Sequence, residues 1–319
     1  MTDVLLVAGK LNNRQKATRL GKIPPSDNPI LTTLTLAENI DIDNNGEVSI
    51  RDGRELVLAG SPHSFWVHPQ DDQIGYFVEN SVLKKLNTDL TATTVTTLNS
   101  NSRLDYELVN SEIVVSNGVD LGWLKETTYD PFSPPVLEQF EVATPAGQYI
   151  ALHKGCLYVL KGSILYVTKP HKIEVMDSRY CTFPMAGYGR MLGAVEDGVW
   201  IATEKEVGFI HGKSVDGLEY EHITDSVPAD GCFEMITEEG EEEVESFILW
   251  ASPEGFCKGT SGAKYTNKSF KDCTLPGGEY GSFFTRFNNG IRQYIAVIHK
   301  PDMERNYTAP DLNTNEVVI

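Results

Sequence analysis

The sequence has no long apolar run. No segment approaches the roughly 18 consecutive apolar residues that a membrane-spanning helix requires. Residues 1–16 lack the apolar core and cleavage site of a secretory signal, so a soluble chain made in the cytoplasm is expected. Cysteine is scarce. The five residues Cys156, Cys181, Cys232, Cys257 and Cys273 are odd in number and contain no Cys-x-x-Cys pair. That argues against a disulfide framework or a zinc site and leaves free thiols in a core. Positive charge is also in deficit, with 27 Lys and Arg against 45 Asp and Glu and a formal charge of −18. Such a surface repels phosphate backbones, so sequence-specific binding of nucleic acid is not expected.

Catalytic signatures are missing as well. There is no His-Glu-x-x-His, Gly-x-Ser-x-Gly or phosphate-binding loop, and the glycines at 187, 189 and 193 miss the dinucleotide spacing and follow no βαβ unit. The seven histidines are scattered; His63 and His68, five apart on a strand-like segment, fall on opposite faces of a regular strand and do not share a metal. No catalytic residue and no cofactor is assigned. Only a pair of carboxylates of the glycosidase kind stays open, because 45 acidic residues leave room for one.

What the sequence has in quantity is short β-signal separated by turns. Residues 150–168, IALHKGCLYVLKGSILYVT, alternate apolar with polar or small residues around Lys154-Gly155 and turn again at Lys161-Gly162, which reads as a β-meander. Residues 192–210 repeat the pattern, with Gly198 lying 43 residues after Gly155. A period of about 40 to 50 residues built from short strands points to a radial β-architecture. Turns at Ser81, Glu112, Gly155, Gly198, Gly255 and Gly290 mark an all-β propeller of five or six blades, with a β-sandwich as the alternative. Tyr76, Tyr158, Trp200 and Phe256 follow the turns and are expected between blades. The interval of 57 residues from Gly198 to Gly255 is read as an insertion around the acidic run 238–245, a solvated loop.

The propeller is expected over residues 36–300, between an extended arm at 1–35 and a tail at 301–319. The arm carries a turn-rich stretch in which Ile23, Pro24, Pro25 and Pro29 are the candidate partner-binding residues. Just after it, Asp41, Asp43 and Asn45 with Gly46 imitate the start of a calcium loop. Position 12, however, is Asp52 where the loop needs a glutamate, and Ile40, Ile42, Val48 and Ile50 alternate about Asn45-Gly46. A β-hairpin is the better reading of this weak calcium candidate.

Residues 37–53, AENIDIDNNGEVSIRDG, followed by Ser61-Pro62-His63-Ser64-Phe65-Trp66, resemble the opening of a group of virion structural proteins of tailed bacteriophages. In that group a comparable strand, glycine turn, arginine-containing return strand and His-Ser-x-Trp strand precede a repetitive β-rich body. The resemblance covers roughly residues 10–70 closely and the remainder in repeat style. It implies a non-enzymatic tail or tail-adaptor protein of the virion, bound to other tail proteins in a multimeric assembly, without membrane insertion. A carbohydrate-active propeller, either a glycosidase or a module that binds a glycan receptor, is the alternative.

Overall fold

The computed structural model describes residues 8–11, 32–34, 40–42, 48–50, 60–69, 71–133, 136–212, 217–239, 244–267, 274–275, 277–288, 291–299 and 315–318. Two strand pairs come first. β1 (Ala8–Leu11) runs parallel to β2 (Thr32–Leu34), and β3 (Ile40–Ile42) pairs antiparallel with β4 (Val48–Ile50), Ile40 opposite Ile50. The antiparallel pairing expected from alternation about Asn45-Gly46 is therefore present, with the turn itself outside the described residues. Asp41 sits in β3 opposite Ser49. Asp43 and Asn45 of the calcium reading, and Ile23, Pro24, Pro25 and Pro29 of the arm, lie outside the described residues.

The body is a succession of antiparallel sheets. The first holds β5 (His63–His68), β6 (Asp71–Glu79), β7 (Val82–Leu86) and β8 (Ala92–Thr97). The second holds β9 (Asp105–Val109), β10 (Glu112–Ser116), β11 (Leu121–Lys125) and β12 (Thr128–Pro131). A short strand, β13 (Glu141–Ala143), stands outside this series. The third sheet begins with β14 (Tyr149–His153), β15 (Cys156–Lys161) and β16 (Ile164–Val167). The chain then leaves it for β17 (Val175–Asp177), which pairs with β13, and returns with β18 (Thr182–Pro184) as fourth strand. The fourth holds β19 (Gly189–Val195), β20 (Gly198–Thr203), β21 (Val207–His211) and β22 (Glu219–Thr224). The fifth holds β23 (Phe233–Glu239), β24 (Val244–Ser252), β25 (Gly255–Thr260) and β26 (Lys264–Asn267). The sixth holds β27 (Tyr280–Asn288), β28 (Ile291–His299) and β29 (Asn315–Val318). The segment read as a C-terminal tail thus supplies a strand, and this sheet extends past residue 300.

Local chemistry sets these hairpins. The turn pairs Asn80-Ser81, Asn110-Ser111 and Lys154-Gly155 all take positive φ at both residues, the twist that two-residue hairpin loops require. Packing then fixes how the sheets sit. Five apolar clusters each join one sheet to the next. Tyr76 and Leu83 meet Ile113 and Val115, Val114 meets Leu157 and Val159, and Tyr158 meets Leu192 and Ile201. Trp200 meets Trp250, and Phe256 meets Phe283. Sheets that bury both faces against successive neighbours are the blades of a β-propeller, six of them among the described residues. Tyr76, Tyr158, Trp200 and Phe256 are all buried in these seams, as expected.

The first strands begin at residues 63, 105, 149, 189, 233 and 280, intervals of 40 to 47 residues. The uneven turn spacing read from the sequence had a different origin from an insertion. The turns at Ser81 and Gly255 join second and third strands, whereas those at Glu112, Gly155, Gly198 and Gly290 join first and second. The described ends of the acidic run consequently belong to paired strands of the fifth blade, Glu238 opposite Glu245 and Glu239 opposite Val244, and not to an inserted loop; residues 240–243 lie outside the described residues. The four described cysteines, Cys156, Cys181, Cys232 and Cys257, are free and buried.

Candidate functional site

Two places concentrate chemistry. The first is the inner end of the blades. The first strand of each blade is an edge strand of its sheet, and the link at Asp230-Gly231 meets that edge in two blades, Gly281 N donating to Asp230 O at 2.9 Å and Gly231 N to Arg190 O at 3.3 Å. In β14 that edge is capped by β9. Asp105 Oδ2 accepts from Ile150 N at 2.8 Å, and Glu107 accepts from the Leu152 backbone. Burial pushes the Asp105 carboxyl up to about 6, against an opposing pull from Arg103 and the hydrogen bonds. Burial and the neighbouring Asp105 push Glu107 to about 8. Arg103, in the link before β9, donates through Nη1 to Gly231 O at 2.7 Å and Gly281 O at 3.2 Å, joining the second blade to the fifth and sixth. Tyr149 Oη donates to Asp230 Oδ1 at 2.5 Å. These polar groups bind backbone and one another across the converging blades, which is the work of a lock.

The second place is the pair β13–β17, an accessory sheet on the flank between the second and third blades. Its formation is local. Glu141 N donates to Glu138 O at 3.0 Å, closing a turn over residues 138–141, and Glu141 Oε2 accepts from Glu138 N at 2.9 Å. Lys169 Nζ donates to the other carboxylate oxygen at 2.7 Å, and these bonds hold the Glu141 carboxyl below the usual range. The turn places Phe140 at its third position with φ of 69°, where the geometry calls for glycine. Ser178 N donates to Phe140 O at 2.9 Å and ties the turn to the end of β17.

The strained residue is on show. Phe140 is 48% exposed, Tyr180 51% and Val136 96%. The Arg179 guanidinium lies over both rings, 4.7 Å from the Phe140 centroid and 5.3 Å from that of Tyr180. Its Nη2 also donates to Asp177 Oδ2 at 2.7 Å, and Nε to Oδ1 at 2.9 Å, holding that carboxyl well below the usual range. Beside this patch runs a groove of about 610 Å³. Val109, Leu152, Ile173 and Val175 supply apolar lining, Val136 its lip and Trp123 a wall; Trp123 Nε1 donates to Glu174 Oε1 at 2.8 Å. No group of three or more His, Cys, Asp or Glu suited to a metal occurs among the described residues.

Neither place was singled out from the sequence. The carboxylate pair left open there has a counterpart in Asp105 and Glu107, whose Asp-x-Glu spacing on a first strand was the available signal. For Phe140 there was none.

Comparison with known proteins finds no matching family model and no matching characterised protein. Solved structures do resemble the chain. BBS1N, in complex with ARL6DN, aligns with a TM-score of 0.51 at 10% identity over 81% of this chain and 83% of that one. Virginiamycin B lyase from Staphylococcus aureus gives 0.49 at 11% identity over 80% and 84%. Regucalcin from Agrobacterium tumefaciens gives 0.46 at 10% over 78% and 86%. At such identities the likeness concerns the fold alone: the chain is a β-propeller, with an accessory sheet on one flank.

Proposed function

We propose that the protein is a non-enzymatic structural component of a bacteriophage tail, a propeller adaptor that holds neighbouring virion proteins through its accessory sheet. The observation that carries the reading is Phe140. A bulky residue held in the left-handed region costs on the order of 1–3 kcal/mol, and such strain concentrates where a side chain has to be presented. Aromatic and arginine residues are also the usual anchors of protein interfaces. Here the Arg179 fork is already fixed by Asp177, so little freedom is lost on docking. The phage assignment itself comes from the likeness of residues 37–66 to virion proteins. The test is assembly with tail proteins by a double variant, Phe140→Gly with Arg179→Ala. It should fold with an unchanged far-ultraviolet spectrum yet fail to co-purify with tail proteins. Undiminished assembly would sink the proposal.

The raised carboxyls of Asp105 and Glu107 favour a second reading, a carbohydrate-active propeller. Their bonds to the β14 backbone weigh against it, since a catalytic carboxyl has to reach substrate. Glycoside turnover that Glu107→Gln abolishes would establish it.

A further inference from the structure

The groove beside Phe140 has an uneven charge. Glu141 is matched by Lys169 at 2.7 Å, and Lys172 lies 3.8 Å from the same oxygen. Glu138 on the lip makes no side-chain hydrogen bond or ion pair among the described residues, although its charge also acts on Lys169, and Glu174 contributes one oxygen to Trp123. The groove therefore offers an apolar floor and a rim on which Glu138, Glu141 and Glu174 outnumber Lys172, suited to a segment that carries both aliphatic and cationic side chains. The same chain contains one. Between Asp3 and Asp27 there is no acidic residue, yet Lys10, Arg14, Lys16, Arg19 and Lys22 all fall there, with Leu20 and Ile23 among them, in a molecule whose formal charge is −18. That stretch is complementary in charge to an acidic surface.

We infer that residues 12–23 of a second copy occupy this groove, Leu20 or Ile23 on the apolar floor and the flanking cations at Glu138 and Glu174. The inference rests on the interaction reading above and names the partner for one part of that surface. A contact in which one region of a molecule meets a different region of the next is head-to-tail, and it builds rings or filaments. Rim charges act chiefly on encounter and register, so the contact weakens as salt rises.

Sedimentation of the full chain over a range of concentrations tests this. Association should appear at low salt and weaken at high salt, and a peptide of residues 10–24 should compete with it. Glu138→Lys leaves the turn intact, because only the Glu138 backbone takes part in it, and should weaken association about tenfold. Arg14→Glu with Arg19→Glu should do the same. Combining all three substitutions should restore much of the loss, which no general damage to folding would do. A chain that stays monomeric at all concentrations overturns the inference, as does a peptide that binds only to a chain lacking residues 2–28, which would place the segment in its own groove. Association lost with Phe140→Gly but indifferent to both charge reversals would overturn the arm's role and leave the adaptor reading standing.

Discussion

Phe140 carries the clearest tension between stability and use. Replacing it with glycine relieves a backbone conformation costing about 1 kcal/mol or more, while the exposed contact with Arg179 that is lost is worth about 0.5–1 kcal/mol. Phe140→Gly is therefore expected to melt at the same temperature as the parent or slightly above it in calorimetry, while losing partner binding. A fall of several degrees would show that the ring supports the fold. Glu107 makes a second prediction at this scale. Its carboxyl is raised to about 8 by burial and by Asp105, so the folded state keeps a proton that the unfolded chain releases near the ordinary value. Stability is then fully present below the unfolded value and declines as pH rises to about 8. The slope approaches 1.4 kcal/mol per pH unit for each such group. Asp105, raised to about 6, adds to the decline over the lower part of that window. Because His63, His153 and His299 are lowered by burial and add stability as pH rises toward about 6.5, the test is the difference between proteins. In denaturant titrations from pH 5 to 8, Glu107→Gln should lose less stability than the parent over the upper part of the range, and equal slopes there would refute the assignment.

At the scale of elements, the seams between blades hold the fold. Trp200 is wholly buried, packs 5.9 Å from Trp250 and donates to Thr260 O at 3.1 Å. Trp200→Ala should lower the unfolding free energy by about 3–5 kcal/mol in urea titration, a large share of what a domain has. The β3–β4 hairpin supports a prediction of the opposite kind. Hairpin pairing of Asp41 with Ser49 accounts for that stretch without an ion, so a chelator should leave the melting temperature unchanged, whereas a bound metal would have raised it. Much of this layer was legible beforehand. Alternation and paired turn residues announced the hairpin at Lys154-Gly155 and the pairing of β3 with β4, because side-chain period and turn geometry are both local. The phase of the repeat was harder to read. A turn between second and third strands looks like one between first and second, so Ser81 and Gly255 were aligned with the wrong partners and the acidic hairpin passed for an insertion. The accessory sheet was illegible for a further reason: β13 and β17 are three residues each, and their pairing joins Glu141 to Asp177 across a whole meander. Phe140 sits where glycine or asparagine would have betrayed the turn.

For the whole molecule, the propeller supplies a rigid body and the accessory sheet breaks its regularity on one flank. The inner lock of Arg103, Asp105, Glu107, Tyr149 and Asp230 holds blades together, and the flank presents Val136, Phe140 and Tyr180 outward. On this account the protein works by being gripped. The most direct measurement is an electron cryomicroscopy map of the protein with its proposed tail partners. The account predicts density from a neighbouring protein, or a neighbouring copy, covering Phe140, Arg179 and Tyr180 beside the filled groove. A map in which that flank faces open solvent while the propeller is held elsewhere would contradict it.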